Sequence, residues 1–276
     1  MPFELRKALQ AAVITGALVG LSGPLAASDD GTIAMLNEAG GLKVGIRADA
    51  PPVGYTDENG EIKGFAPDLA MAVGAELGVD VELIPTTGQT RIPLLQNKRI
   101  DVEFGTTTPT KKRDLVVDFP LVYNWDSVVI LVRAGDSKKP EDYGPPRSVA
   151  APQGSISGDL FKRMVSDAEV LYFQEYGDAV NALLSKKTDA VLMNAFSANQ
   201  YTQRYEGKVQ VGGSFFRDPQ GIMTRENESD LADLVSWTVQ KLWASGTYAA
   251  IYEKHFGYAP RHDIWSANGV QPGTAE

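Results

Sequence analysis

The 276-residue chain contains no cysteine and only two histidines, His255 and His262, both near the C-terminus. Without thiols there are no disulfide scaffolds, Cys-ligated zinc sites, iron–sulfur clusters or thiol nucleophiles. Two histidines so placed leave next to no room for a His-based triad or a multi-His metal site. Basic residues are also in deficit, 26 against 35 acidic, and the net charge of −9 argues against nucleic acid and anionic membranes as partners. Neither a Walker loop nor a dinucleotide fingerprint is present. Asp178 and Asp233 lack the kind of carboxylate partner that glycosidases need. No catalytic group, metal or cofactor is therefore expected. What remains is ordinary globular material, 43% hydrophobic and 22% charged. At ~150 residues per domain the length suggests about two domains or lobes. Any site must be assembled from Arg, carboxylates, hydroxyls, amides and aromatics.

Residues 1–28 read as a cleaved signal peptide. Arg6 and Lys7 precede an apolar stretch, Ala8 to Leu21, and Ala26, Ala27 and Ser28 supply the small residues a signal peptidase requires. The stretch is shorter than the ~20 residues a membrane span needs, and no other run approaches that length. The mature protein is expected to be exported and soluble. Its 248 or so residues, a count read from the sequence, can bury a large core without disulfides.

Along the mature chain, apolar runs alternate with helical patterns. Strands are predicted at 42–46, 61–65, 81–84 and 101–104, with helices after Pro67 and over 91–97. Gly78 is placed to cap the first of those helices. Ser127 to Arg133 is the most apolar strand. A Lys, Pro, Asp and Gly-rich break at 136–146 precedes a second strand–helix set through about residue 205, and helices are predicted at 228–245 and 248–256. Trp237, Trp243, Tyr248 and Tyr252 read as core-facing, and His255 as structural. The residues after Trp265 read as a loose polar tail. Strand–helix alternation of this kind implies parallel sheets whose loops, at the carboxyl ends of the strands, hold ligands.

Four such loops carry chemistry. Arg47 follows the first strand, where it either points into the crevice or pairs with Asp49. Arg91 opens a helix after Thr86-Thr87-Gly88-Gln89-Thr90, a position where the helix dipole disfavours a cation unless an anion is near. Phe104-Gly105-Thr106-Thr107-Thr108-Pro109 leads to Arg113, with Thr108 as the expected N-cap and Pro109 as the first helical residue. Gly, hydroxyls and a guanidinium fork at one strand end suit a carboxylate. In the second set, Ser155 and Ser157 sit between strand and helix, where they bind an anion or simply cap. Glu175-Tyr176 and Asn194 follow further strands.

Leu42-Lys-Val-Gly-Ile with Pro51-Pro52, Asp57-Glu-Asn-Gly, Thr106-Thr-Thr-Pro…Arg113…Asp118-Phe119-Pro120 and Ser245-Gly-Thr-Tyr…Phe256-Gly257 resemble the family 3 periplasmic solute-binding proteins, receptors of polar amino-acid ABC importers. The likeness runs from about 41 to 258, and Leu83-Ile84-Pro85…Gln89-Thr90-Arg91-Ile92-Pro93-Leu94-Leu95-Gln96-Asn97 is close to the glutamate/aspartate branch. The resemblance implies an α/β, two-lobed periplasmic-binding-protein fold (a Venus flytrap with two hinge crossings), with lobe 1 at 29–130 and 216–276 and lobe 2 at 131–215. It implies a monomeric periplasmic receptor that delivers a small anionic ligand, glutamate or aspartate, to an inner-membrane ABC permease. By position, Arg113, Thr106 and Thr108 would hold the α-carboxylate. Arg47 and Arg91 would grip the distal carboxylate, Ser155 would donate from lobe 2, and Tyr176 stands where the branch can have His. Asn194 departs from the family's usual Asp, so the ammonium partner is expected from Asp49 or Glu175. The alternative is a dicarboxylate or other dianion without an amine. A second alternative is an enzyme resembling the exported cyclohexadienyl dehydratases, with Glu175 or Asp49 as general acid. Gly88, where the branch can place Ser, removes one hydroxyl.

Overall fold

The computed structural model describes residues 27–261 and 263–266. The signal-peptide reading falls outside the described residues except at Ala27 and Ser28, and so do His262 and the polar tail. α1 (Ala27–Glu38) leads into β1 (Leu42–Arg47), a small hairpin sheet of β2 (Asp49–Ala50), β3 (Gly54–Thr56) and β4 (Ile62–Lys63), then α2 (Phe65–Leu77), β5 (Val81–Thr86), α3 (Arg91–Gln96), β6 (Val102–Thr107) and α4 (Lys111–Asp114). The long β7 (Val117–Arg133) crosses to β8 (Ser148–Pro152), α5 (Ser157–Met164), β9 (Glu169–Phe173), α6 (Tyr176–Leu184), β10 (Ala190–Asn194) and α7 (Ala195–Arg204). An equally long β11 (Val209–Arg225) returns to α8 (Ser229–Ala244), α9 (Thr247–Phe256) and β12 (Trp265–Ser266).

The main sheet runs β5-β1-β6-β11-β7-β10-β8-β9, with β12 against β7. Within each half the neighbours are parallel: β5, β1 and β6 on one side, β10, β8 and β9 on the other. Between the halves β7 and β11 pair antiparallel from Val209↔Arg133 to Arg225↔Val117, with register breaks on the way. Residues 128–132 of β7 also pair with β10, and residues 221–224 of β11 with β6. The stretch between these pairings is two strands wide, a narrow waist between two α/β lobes. Patterning predicts only the second half of β7, because Val117 to Asp126 alternates buried and half-buried residues and includes Pro120, Asn124 and Asp126.

The first lobe's core gathers round Phe65. Its ring stacks on Tyr123 at 5.9 Å and meets Tyr248, Tyr252 and Phe256 edge-on at 5.3–5.4 Å. α2 buries Leu69 and Val73 on the same face and ends as expected at Gly78, in the left-handed conformation with φ 68°. Asp68, on the first turn of α2, accepts from Lys254 (2.7 Å) and pairs with His255 (2.6 Å), tying α9 to α2. Lobe 2 carries two further clusters, one on each face of its sheet, centred on Leu183 and Phe161.

Trp237 departs from the core-face reading, being 69% exposed. α8 buries Leu231, Leu234, Val235, Val239 and Leu242. The row four residues apart, Asp233, Trp237 and Lys241, is the solvent face, where Lys241 pairs with Glu76 of α2. Trp243 does pack inward, 4.8 Å from Tyr248, and Tyr248 and Tyr252 are buried.

Truncating Phe65 to Ala removes the ring that four others pack against, with an expected loss of about 3–5 kcal/mol of unfolding free energy. Urea denaturation followed by circular dichroism reads this as a lower midpoint.

Candidate functional site

Eight residues singled out from the sequence, Arg47, Arg91, Thr106, Thr108, Arg113, Ser155, Tyr176 and Asn194, line one cavity between the lobes. They come together because each sits at or just beyond the end of a strand. The parallel strands of each lobe all end on the same side, so their loops face one another across the waist.

Arg47 ends β1 and is almost wholly buried. It pairs with Asp49 through two nitrogens, Nε to Oδ1 and Nη2 to Oδ2, the latter at 3.0 Å. Both sequence alternatives hold, since Arg47 lines the cavity and is also neutralised. Burial alone would lower its pKa, but Asp49 outweighs burial and raises it. The Asp49 carboxyl is likewise held below its usual range despite burial. Asp49 also accepts from the backbone N–H of Tyr176 at 3.0 Å, and the Arg47 guanidinium lies 5.2 Å over the Tyr176 ring. This cluster ties the two lobes together.

Arg91 opens α3 and is 1% exposed. Its Nη2 donates to the Gly154 carbonyl at a long 3.4 Å, while Nε and Nη1 have no hydrogen-bond partner among the described residues. Burial, with Arg113 and Arg47 nearby, pulls its pKa down to about 9, against the opposing pull of Glu103. Arg113, on α4, donates to Thr108 O at 2.7 Å and to Gly154 O at 2.8 Å. Two guanidinium groups of lobe 1 thus converge on one carbonyl of lobe 2.

The expected cap at Thr108 moves. Thr110 caps α4, accepting from the Arg113 N–H at 3.3 Å, and the helix begins at Lys111. Thr108 is drawn elsewhere, its hydroxyl donating to Asp218 Oδ1 at 2.6 Å. Thr106 is buried with its hydroxyl unpartnered among the described residues. In lobe 2 the hydroxyls of Ser155 and Ser157 lie 2.8 Å apart, and Tyr176 OH donates to Asn194 Oδ1 at 3.0 Å.

Asp218 is the residue sequence reasoning missed. Buried on β11, it also accepts from Asn194 Nδ2 at 2.7 Å, so it bridges Thr108 of lobe 1 and Asn194 of lobe 2. Burial raises its pKa, and the bonds from Thr108, Asn194 and Gln220 oppose the rise. The anion beside Asn194 is therefore Asp218, and not Asp49 or Glu175. Asp49 is committed to Arg47, and Glu175 lies on the wider cleft mouth next to the cavity. The available signal was Arg217-Asp218-Pro219 just past the expected lobe boundary at 215/216, which only the register of β11 between β6 and β7 turns into a site residue.

The cavity encloses about 30 Å³, room for water but not for an amino acid. Lobe 1 and lobe 2 are in contact over it. Gly88 and Gly154 touch backbone to backbone, so that a β-carbon on either would overlap a carbonyl of the other loop, and Gly154 has φ +74°. Anything larger than water fits there only if the lobes part. Among the described residues no group of three His, Asp or Glu side chains could hold a metal, and no helix is long and apolar enough to cross a membrane.

Two α/β lobes joined by paired crossing strands, with polar loops meeting over one cavity, define a periplasmic-binding-protein clamp. The chain belongs to the bacterial extracellular solute-binding proteins, family 3, whose family model matches residues 42–258. It is similar to the ABC transporter glutamine-binding protein GlnH of Bacillus subtilis, 32% identical over 81% of this chain and 84% of that protein. The L-glutamate/L-aspartate-binding protein of Pseudomonas aeruginosa is 28% identical over 86% of this chain and 83% of that protein. Among solved structures, an ancestral arginine-binding protein bound to glutamine aligns with a TM-score of 0.74 at 34% identity, covering 79% of this chain and 98% of that one. These relatives are binding proteins, not enzymes, and the dehydratase alternative is set aside.

Gly154→Ala brings a β-carbon into the Gly88 carbonyl and places it on a left-handed backbone that alone costs about 1–2 kcal/mol. The expected outcome is a more open protein, read by small-angle scattering as a larger radius of gyration without ligand.

Proposed function

We propose that this chain is the periplasmic receptor of an ABC importer for an acidic amino acid, glutamate or aspartate. It would act as a monomer that closes on its ligand and hands it to the inner-membrane permease. The observation that carries this reading is Arg91, a guanidinium buried in the cavity with two N–H-bearing nitrogens unpartnered among the described residues. Leaving a buried charged donor without an acceptor costs several kcal/mol, which a carboxylate at the far end of the ligand would offset. Arg113, with Thr106 and Thr108, would take the α-carboxylate. Gly154 O occupies both arginines in the closed, ligand-free form, and the ligand's oxygens would replace it. Asp218, steadied by Thr108 and Asn194, would receive the ammonium, which favours an amino acid over an amine-free dicarboxylate. Arg47 would act mainly through its pair with Asp49, holding Tyr176 and the lobe contact. Ser155 would donate from lobe 2.

Lobe 1 is assigned to 29–130 and 216–276 and lobe 2 to 131–215, with the bending segments drawn more finely at 123–127 and 217–220, where β7 and β11 pair only with each other. Ligand would favour the closed arrangement by adding contacts that only it provides. Residues 1–28 would be the leader that takes the chain to the periplasm.

A second reading, a polar amino acid of neutral side chain, is favoured by the neutralisation of Arg47 by Asp49. Titration calorimetry with L-glutamate, L-aspartate, L-glutamine, succinate and 2-oxoglutarate separates the readings. Glutamate or aspartate is expected to bind tightest; equal binding of succinate would sink the ammonium role of Asp218, and tighter binding of glutamine would sink the acidic reading. Asp218→Asn replaces a charge-assisted bond by a neutral one and is expected to weaken the amino acids roughly 10–100-fold. Arg91→Ala is expected to weaken glutamate far more than glutamine.

A further inference from the structure

One buried charge has no part in the site as described so far. Glu103 lies on β6, wholly buried, with Oε2 accepting from the Thr107 hydroxyl at 3.1 Å and Oε1 unpartnered among the described residues. Its carboxylate occupies a recess made by two glycines. Gly45 stands opposite it on β1, and Gly105 follows two residues on; a β-carbon at Gly105 would overlap Oε1. A side chain at Gly105 would displace the carboxylate, whereas a β-carbon at Gly45 would press first on Ile100 and Thr86 and only touch the Glu103 stem.

Around the recess stand the three arginines. Arg91 from α3, Arg47 at the end of β1 and Arg113 from α4 all act on Glu103 electrostatically, and the buried Tyr123 of β7 is a further titratable neighbour. Tyr123 donates to the Gly105 carbonyl at 3.0 Å. Arg91 has Glu103 as its principal source of opposing charge, without a direct ion pair. The carboxylates that act on Arg47, Arg91 and Arg113 are Asp49, Glu103 and Asp218. With all six ionised the sum is zero, which matches a zwitterion with a neutral side chain. With Glu103 protonated the sum is +1, which matches an amino acid carrying one extra carboxylate.

We propose that Glu103 is a specificity-determining positioning residue: it acts through Arg91, and it takes up a proton when an acidic amino acid binds. The proposal rests on the acidic-ligand reading above and adds its charge balance. An incoming distal carboxylate takes over Arg91, and the carboxylate in the glycine recess, deprived of its counter-charge and of water, becomes the carboxylic acid. The proton comes from solvent, and the hydroxyl it creates has Thr107 Oγ1 within hydrogen-bond reach. Burial already raises the Glu103 pKa, with the arginines opposing the rise. A ligand that engages the arginines removes that opposition. The sign follows: glutamate affinity is full below the pKa of the free protein and falls as pH rises above it, by up to about tenfold per pH unit, levelling off above the pKa of the complex. Glutamine adds no charge at that end, so its affinity is flat. Asp126, directly across from Asp218 on β7 and raised to about 7 by burial, and Asp218 itself, also raised by burial, are further titrating carboxylates near the cavity. Both ligands present the same ammonium there, and Arg91, at about 9, gains protons with glutamate only at the alkaline end, so uptake below pH 7.5 that is lost in Glu103→Gln isolates Glu103.

The test is calorimetry on the full protein with L-glutamate and L-glutamine from pH 5.5 to 8.5, in buffers of different ionisation enthalpy, on the wild type and Glu103→Gln. The wild type is expected to take up about one proton more with glutamate than with glutamine, and its preference for glutamate should decline as pH rises. Glu103→Gln keeps the shape and the Thr107 contact without the charge. It should abolish the extra proton, flatten the profile and bind glutamate about tenfold or more tightly than the wild type at pH 8. Equal proton counts for the two ligands in the wild type overturn the proposal, and so does a wild-type profile in the variant. Should the variant not fold, the wild-type proton count decides alone. Failure to bind glutamate or aspartate at any pH would instead overturn the acidic-ligand reading, a different result from binding without proton uptake.

Discussion

The cleft is governed by the cost of burying guanidinium groups. Three arginines meet in a cavity of about 30 Å³, and each ion removed from water loses several kcal/mol of hydration unless charge or hydrogen bonds replace it. The three solve this differently. Arg47 has its own carboxylate, Asp49. Arg113 has two carbonyls, Thr108 O and Gly154 O. Arg91 has only a long contact to Gly154 O, with Glu103 at a distance. The charge of Arg47 is thus met by a carboxylate of the protein, whereas Arg91 and Arg113 share one carbonyl.

The same arrangement makes the closed state attainable. Gly88 and Gly154 let the facing loops reach van der Waals contact, and Gly154 thereby delivers its carbonyl to Arg91 and Arg113. Asp49 joins the Tyr176 amide, and Asp218 joins Thr108 to Asn194. Closure is thus a set of polar bonds of about 1 kcal/mol net each, numerous enough to hold the lobes yet individually replaceable. A hydrophobic seam would hold the lobes more firmly and would have to be broken at each release. The waist is only β7 and β11 wide, and two carboxylates, Asp126 and Asp218, face each other across it.

Much of the site could be read along the chain. Arg47, Arg91, Thr106, Thr108, Arg113, Ser155, Tyr176 and Asn194 announce themselves as polar residues at strand ends in an α/β pattern, and all line the cavity. Asp218 and Glu103 do not, because neither lies in a strand-end loop. Asp218 is midway along a crossing strand, and Glu103 is inside a strand whose other members are buried. Trp237 fails for a related reason: an aromatic residue is usually buried, but the phase of α8, set by Leu231, Leu234, Val235 and Leu242, turns position 237 to solvent.

By itself the sequence determined the class of chemistry and the order of elements. Missing thiols and scarce imidazoles removed most catalysis and metal binding, while local propensity and apolar period placed the parallel strands and most helices but not α1, the first half of β7 or β11. Only the tertiary structure decided how the charges are shared. Which carboxylate stands beside Asn194, what opposes Arg91, and how Asp49 comes to hold both Arg47 and the Tyr176 amide all depend on distances between residues up to 127 positions apart. Electrostatic energy in a buried site varies with those distances and with exclusion of water, and neither is written in any local run of the chain.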